Sequence, residues 1–288
     1  MTLTEIRSGM TAGAILTSTA EVRTAVLGAM TINDLFDLAD RPAVITGGAR
    51  GLGFSIAGAL ARRGSPVALL DVLDDVHDAA ERLAADSGVA THSAVADVTD
   101  PQSLDAAFAA AEGVLGTARV LVTAAGITIW NDSVDVTADE WRRVLAVNLD
   151  GTFFAAQQFG RRLFAAGLTG SAVFVSSMSG SVVNVPQHQA AYNASKAAVA
   201  QLAKSLGVEW AAAGIRVNAI APGYFLSDMT RQFVDTNPEL AATWTARIPL
   251  GRMGEPHDLH GLVTFLASDA SAYLTAQELT IDGGYTAV

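Results

Sequence analysis

AVITGGARGLGFSIAGALARRG, residues 43–64, is the stretch that decides the fold. It opens on apolar, partly β-branched residues, places glycines at Gly47, Gly51 and Gly53, and continues into an amphipathic alanine-rich segment. That order reads as strand, tight turn and helix, the first half of a βαβ unit. Glycine lets the backbone come close to an anionic group, and the first turn of a helix meets a pyrophosphate with unpaired N–H groups. Gly47, Arg50, Gly51, Leu52 and Gly53 are therefore candidate dinucleotide contacts. The T-G-x-x-x-G-x-G spacing differs from the more familiar G-x-G-x-x-G, and alone it also fits an ordinary glycine-rich turn.

About twenty residues past this loop, the run PVALLD ends at Asp71, where a carboxylate accepts hydrogen bonds from ribose hydroxyls and repels a 2′-phosphate. Asp71 favours NAD; Arg50, a base inside the loop, favours NADP, and the strand-end position weighs for NAD. Asp71 also fits a cap for a helix starting near Asp74. Further apolar runs at 120–123, 172–176 and 215–220, a weaker one near 89–95 and a last one at 278–281 alternate with alanine-rich stretches of helical length. This rhythm predicts a doubly wound α/β fold of the Rossmann type, with about seven parallel strands in one domain. Ligands of such sheets bind at the carboxyl ends of strands, which makes Asp97 and Val98 candidates for the adenine and Ala125 and Gly126 further candidate cofactor contacts. Residues 1–40 read as an extension, either disordered or packed on a neighbouring subunit through Val22, Val26 and Leu27. Residues 41–288 read as the catalytic domain.

Composition narrows the partners. Half the residues are hydrophobic and 16% are charged, which suits a sheet covered on both faces. Twenty-nine acidic against 18 basic side chains give a formal charge of −11, a field that repels phosphate backbones and anionic lipid, so neither nucleic acid nor membrane is expected. The absence of cysteine rules out disulfides and thiolate chemistry and fits a reducing compartment, with the cytoplasm as the expected location. The opening MTLTEIRSGM lacks the pattern of a secretory leader. His257 and His260 lie three apart without a third ligand, so no metal is expected.

The chemistry lies in SAVFVSSMSGSVVNVPQHQAAYNASKAAVAQLAKSLGVEW, residues 171–210. Tyr192 and Lys196, at i and i+4, share one helix face. A phenol titrates near pH 10, and a neighbouring cation favours its anion; lowering it by about three units takes roughly 4 kcal/mol. No G-x-S-x-G elbow surrounds the serines, which excludes a serine hydrolase of that type.

Taken in order, the glycine loop, the upstream serine, Y-x-x-x-K and Pro222-Gly223 resemble the short-chain dehydrogenase/reductase family over about residues 36–288. The resemblance implies hydride transfer between a nicotinamide and an alcohol or ketone, with a tetrad at Asn148, Ser177, Tyr192 and Lys196. In it Tyr192 exchanges the proton, Ser177 orients the substrate oxygen, Lys196 lowers the phenol pKa and holds the ribose, and Asn148 fixes a relay water. Ser176, Ser177, Ser179 and Ser181 crowd the loop; Ser177 is chosen at S-x-x-G, with Ser179 better placed to line the pocket. Pro222, Gly223, Phe225 and Ser227 are implied cofactor contacts, while Thr123 stands where the family has an asparagine that braces the sheet.

Residues 224–250 are expected to form a lid, with Tyr224, Phe225, Met229 and Trp244 as wall candidates. SMSGxxVNxPQ and the ending DGGYTAV are similar to polyol dehydrogenases of the galactitol, arabinitol and sorbitol type, and to some carbonyl reductases. Ser179, Asn184, Gln187, His188 and Tyr224 are candidates for hydroxyl recognition. The expected function is thus an NAD-dependent alcohol or polyol dehydrogenase acting on a small-molecule alcohol or ketone, with a homotetramer implied by the family. An NADP-linked carbonyl or 3-oxoacyl reductase is the alternative within the class, and a non-catalytic dinucleotide sensor the alternative outside it.

Overall fold

A computed structural model describes residues 31–288 apart from 228, 229, 232, 233 and 235. The strands are β1 (Ala43–Thr46), β2 (Val67–Asp71), β3 (Thr91–Val95), β4 (Val120–Thr123), β5 (Gly170–Val175), β6 (Ile215–Pro222) and β7 (Glu278–Ile281). They pair in parallel as one seven-stranded sheet of order β3-β2-β1-β4-β5-β6-β7. The helices are α1 (Ile32–Leu35), α2 (Gly51–Ala61), α3 (Val76–Ser87), α4 (Pro101–Leu115), α5 (Ala138–Leu145), α6 (Gly151–Ala166), α7 (Ala190–Glu209), α8 (Pro238–Thr245) and α9 (His260–Ala267).

Alternation along the strands builds two cores. Ile45, Leu69, Val122, Val173 and Ile220 face α2, α3 and α9 through Ile56, Leu60, Leu83 and Val263. Val44, Leu70, Leu121, Phe174 and Val217 face α4, α6 and α7 through Phe108, Phe159 and Val199. Because both faces are covered, the strands read as continuous apolar runs rather than alternating ones. The packed body starts before residue 41: Leu38 is fully buried, and its N–H donates to the carbonyl of Arg63 at 3.0 Å. The pattern noted at residues 22–27 lies outside the described residues.

Helix starts follow local chemistry. Asp100 caps α4 through the N–H of Gln102, with Pro101 in the first turn, and Thr137 with Glu140 closes a capping box on α5. Between α5 and α6 lies a π-helical turn, Ala146–Asp150, and Asn148 sits in it. The chain leaves β1 toward β2 on one side and reaches β4 on the other, so the sheet has a topological switch point at the carboxyl ends of β1 and β4. No described helix is long and apolar enough to cross a membrane.

Candidate active site

The glycine loop after β1 closes on the loop after β4. Gly47 has φ +69°, and a Cβ there would stand 2.6 Å from the nitrogen of Ala125; a Cβ on Gly53 would stand 2.0 Å from the carbonyl oxygen of Gly47. Gly51, at φ +60°, is different: a Cβ there meets nothing within 4 Å, so space is left open over the start of α2. The N-cap residue Arg50 is exposed and makes no side-chain cap bond. A glycine turn running into a helix start of this kind suits a pyrophosphate, and the loop therefore fits a dinucleotide.

Asp71 ends β2 and ties the two first loops together. Its Oδ2 accepts from the N–H of Ala49 at 3.0 Å and its Oδ1 from that of Leu73 at 3.2 Å. It does not cap α3, whose N-cap is Asp75. Asp97 is exposed and accepts from the N–H and hydroxyl of Thr99, both at 2.8 Å. Val98 is buried against Gly151, where a Cβ would come within 2.6 Å of its Cγ2. Leu52 packs half-buried on the core.

The catalytic candidates converge from β5, the π-helical turn and α7. Ser177 leaves β5 in extended conformation; its Oγ accepts from the N–H of Ser179 at 3.2 Å, and its hydroxyl acts on the Tyr192 phenol in the sense that favours the phenolate. Lys196 is 5% exposed, its Nζ donates to the carbonyl of Val175 at 2.8 Å and lies 5.6 Å from the centre of the Tyr192 ring. Asn148 is fully buried: its Oδ1 accepts from the N–H of Ile127 at 2.8 Å, and its Nδ2 donates to the Ile127 carbonyl at 3.0 Å and to Ser195 Oγ at 2.9 Å. A Cβ on Gly126 would lie 3.4 Å from Asn148 Oδ1 and 3.5 Å from Lys196 Nζ, so these three meet in one place. Ser195, passed over in the sequence although it stands beside Lys196, carries the link from Asn148 onward by donating to the Tyr192 carbonyl at 2.7 Å.

The electrostatics correct one expectation. In the chain by itself, burial raises the Tyr192 pKa, and the Ser177 hydrogen bond pulls the other way without winning. Burial also lowers Lys196 to about 8. Both groups are pressed toward their neutral forms, because desolvation penalises an ammonium and a phenolate alike. The ammonium one helical turn away does not by itself lower the phenol.

A third cluster, Met178, Trp244, Ile248, Met253 and Tyr285, forms the wall beside the catalytic loop. Tyr224 stacks on Trp244 with ring centres 4.5 Å apart and meets Tyr285 edge-on at 5.5 Å, while Trp130 meets Trp244 edge-on at 6.1 Å. Asn184 Nδ2 and Gln187 Nε2 donate to the Tyr224 hydroxyl at 3.1 and 2.8 Å, and Trp244 Nε1 donates to Gln187 Oε1 at 3.2 Å. Three residues picked as separate hydroxyl readers are thus bonded to one another. Ser179 Oγ accepts from Gln189 at 3.3 Å, and the exposed His188 pairs with the exposed Asp132. Phe225 packs its ring in the core against Gly254, leaving only its backbone for a cofactor. Ser227 shares hydrogen bonds with Thr230. Met229 lies outside the described residues.

A parallel sheet with a glycine turn at its switch point and a Ser-Tyr-Lys set one strand away defines a nicotinamide-linked oxidoreductase. The sequence profile of the family described as enoyl-(acyl carrier protein) reductase matches residues 47–286. A galactitol 2-dehydrogenase (L-tagatose-forming) of Cereibacter sphaeroides is 43% identical over 258 residues, covering 89% of this chain and 99% of that protein. A sorbose reductase of Candida albicans is 40% identical, covering 88% of this chain and 89% of that one. The crystal structure of a gluconate 5-dehydrogenase from Burkholderia cenocepacia, in complex with NADP and tartrate, superposes with a TM-score of 0.84 at 34% identity, covering 90% and 100% of the two chains. The chain belongs to the short-chain dehydrogenase/reductase family, and its reaction is hydride transfer between a nicotinamide cofactor and a secondary alcohol or the matching ketone.

Proposed function

We propose that this chain is an NAD-dependent polyol dehydrogenase, with Tyr192 as the proton-transferring group and Ser177, Lys196 and Asn148 as its supporting set. The observation that carries the reading is the buried Lys196 one turn along the helix from Tyr192, its Nζ 5.6 Å from the centre of that ring, with the Ser177 hydroxyl acting on the phenol. The polyol substrate draws on the likeness to galactitol 2-dehydrogenase and sorbose reductase.

The nicotinamide, when bound, supplies the hydride acceptor or donor. The protein's own residues manage the proton. In oxidation Tyr192 takes the hydrogen of the carbinol oxygen, and in reduction it returns it, while Ser177 holds that oxygen by a hydrogen bond. Lys196, anchored on the Val175 carbonyl, offers its remaining N–H groups to ribose hydroxyls. The Asn148 side chain is committed to Ile127 and Ser195, so it braces α7 against the loop after β4, and a relay water would use the lone pairs left on its oxygens.

For the cofactor, Asp71 at the end of β2 argues for NAD through its charge, and the exposed Arg50 is the feature that would favour NADP. Gly47, Gly51, Gly53, Asp97, Val98, Ala125, Gly126, Pro222, Gly223 and Ser227 complete the proposed cofactor surface. We further propose a homotetramer working in the cytoplasm on free small molecules.

The test is reduced-nicotinamide absorbance, followed with galactitol, sorbitol, arabinitol, simple secondary alcohols, diketones and acyl thioesters against both cofactors. Polyol turnover with a higher kcat/KM for NAD is expected. A preference for NADP with ketones or 3-oxoacyl thioesters would replace this reading by the reductase one, and tight dinucleotide binding without turnover of any substrate would end it.

A further inference from the structure

We infer that Ser195 is a positioning residue for the proton transfer: its hydroxyl holds the first turn of α7, and Tyr192 with it, against the loop after β4 that packs on the glycine turn. The inference rests on the Tyr192 reading above and adds the device that keeps the proton seat and the dinucleotide seat in a fixed relation.

Ser195 is fully buried, and its hydroxyl both accepts and donates. Backbone groups fix the direction of every bond in the chain it belongs to. The Ile127 N–H can only donate and the Ile127 carbonyl can only accept, so the Asn148 atoms that meet them, at 2.8 and 3.0 Å, are Oδ1 and Nδ2 in that order. The second hydrogen of Nδ2 then goes to Ser195 Oγ at 2.9 Å, and Ser195 gives its own hydrogen to the Tyr192 carbonyl at 2.7 Å. Turning the Asn148 amide over would break both bonds to Ile127 at once. One run of hydrogen bonds therefore leads from the loop after β4, through the π-helical turn, to the backbone of Tyr192.

The place of Tyr192 in its helix gives that run a use. Tyr192 is the third residue of α7, and the N-cap residue Gln189 makes no side-chain cap bond. A helix start without such a cap has little of its own to steady its first turn. Here the hold comes from the next turn, where Ser195 bonds back to the carbonyl three residues earlier and Asn148 fastens that serine to a second element. The far end of the run lies at the dinucleotide loop. A Cβ on Gly126 would stand 3.5 Å from Lys196 Nζ, and one on Gly47 would stand 2.6 Å from the nitrogen of Ala125. Residues 125–127 thus border the glycine turn, Lys196 and, through Asn148 and Ser195, Tyr192. Hydride and proton leave the same carbinol, and a shift of about 1 Å in a reacting group costs on the order of a hundredfold in rate.

The experiment follows nicotinamide absorbance in a single turnover, with the enzyme and NAD in excess over the alcohol of the panel that wild type oxidises fastest. The rate is expressed per dinucleotide-binding site, counted by fluorescence titration. Ser195→Ala is expected to slow the hydride step by about tenfold to a hundredfold, with KM and the dinucleotide dissociation constant within about threefold of wild type. A serine that served the fold alone would lower the melting temperature and leave the rate per site at the wild-type value, which overturns the inference. Adding Ser195→Ala to Asn148→Ala is expected to change the rate by less than about threefold, because the run is already cut; losses that multiply overturn it too. Should Ser195→Ala not fold, Ser195→Cys, close to serine in size but a weak donor and acceptor, takes its place: a slowed step at unchanged affinity is expected, and a wild-type rate overturns the inference. Full activity in Tyr192→Phe would instead sink the Tyr192 reading itself.

Discussion

Lys196 is held almost out of water, and the site keeps it there at a cost. Burial lowers its pKa from 10.5 to about 8, which corresponds to about 3 kcal/mol of unfavourable work whenever the amine is charged. The folded chain binds fewer protons than the unfolded one between those values, so this penalty is full below about pH 8 and fades as pH climbs toward 10.5. Lys196→Met should therefore lose activity yet unfold at a higher urea concentration than wild type at neutral pH, with the advantage gone at high pH; a less stable variant at pH 7 would contradict the burial argument. Tyr192 gives a second expectation. Oxidation needs the phenolate and reduction the phenol, and burial raises the phenol pKa, so kcat/KM for alcohol oxidation should rise on the alkaline side where that for ketone reduction falls. Coincident pH profiles would remove Tyr192 as the exchanging group. Tyr192→Phe should lower turnover by about 10²- to 10⁴-fold while dinucleotide binding, followed by fluorescence titration, stays largely intact. Spacing on a helix made the Tyr192–Lys196 pair visible from sequence, but not its burial, which depends on Val175, Gly126 and Asn148 arriving from other elements.

At the level of the element, the glycine turn separates two demands that the bare spacing confounds. Gly53 is there for packing, because any Cβ would overlap the Gly47 carbonyl. Gly51 is there for conformation and room: it has a left-handed φ of +60° and open space around it. Gly53→Ala should abolish a stable fold, whereas Gly51→Ala should cost about 1–2 kcal/mol from its φ and raise the dinucleotide dissociation constant by filling the mouth of α2. Thermal unfolding alongside cofactor titration separates them, and equal damage from both would void the distinction. The π-helical turn carrying Asn148 was not legible, since the apolar period runs through it unbroken. Where it ends, Gly151 lies against Val98, a contact between residues far apart in the chain. The mutual bonding of Asn184, Gln187 and Tyr224 was hidden for the same reason: each looked like a lone polar side chain until the segment after β6 met the loop before α7.

On the scale of the whole molecule, the seven parallel strands and the covered faces of the sheet follow from the rhythm of apolar runs, which is why the architecture was readable and the side-chain network was not. Long-range ties fasten the layers. His260 on α9 bonds Ser55 of α2 at 2.8 Å, and burial, with Arg62 and His257 nearby, lowers its pKa below 6.5. Its contribution is whole above the unfolded value and is lost as pH falls through the lowered folded one, so wild type should lose stability faster than His260→Gln between about pH 7.5 and 5. Parallel urea midpoints across that range would refute this. The sheet also distributes its duties unevenly: Ser177, Tyr192 and Lys196 all come from the unbroken run of β5, loop and α7, whereas Trp130, Tyr224 and Trp244 are contributed by separate segments outside the sheet. Evolution can therefore trade one substrate for another by swapping these separate pieces while the proton-handling cassette is inherited whole, and a laboratory chimera that grafts a relative's residues 224–250 should carry that relative's preference with it.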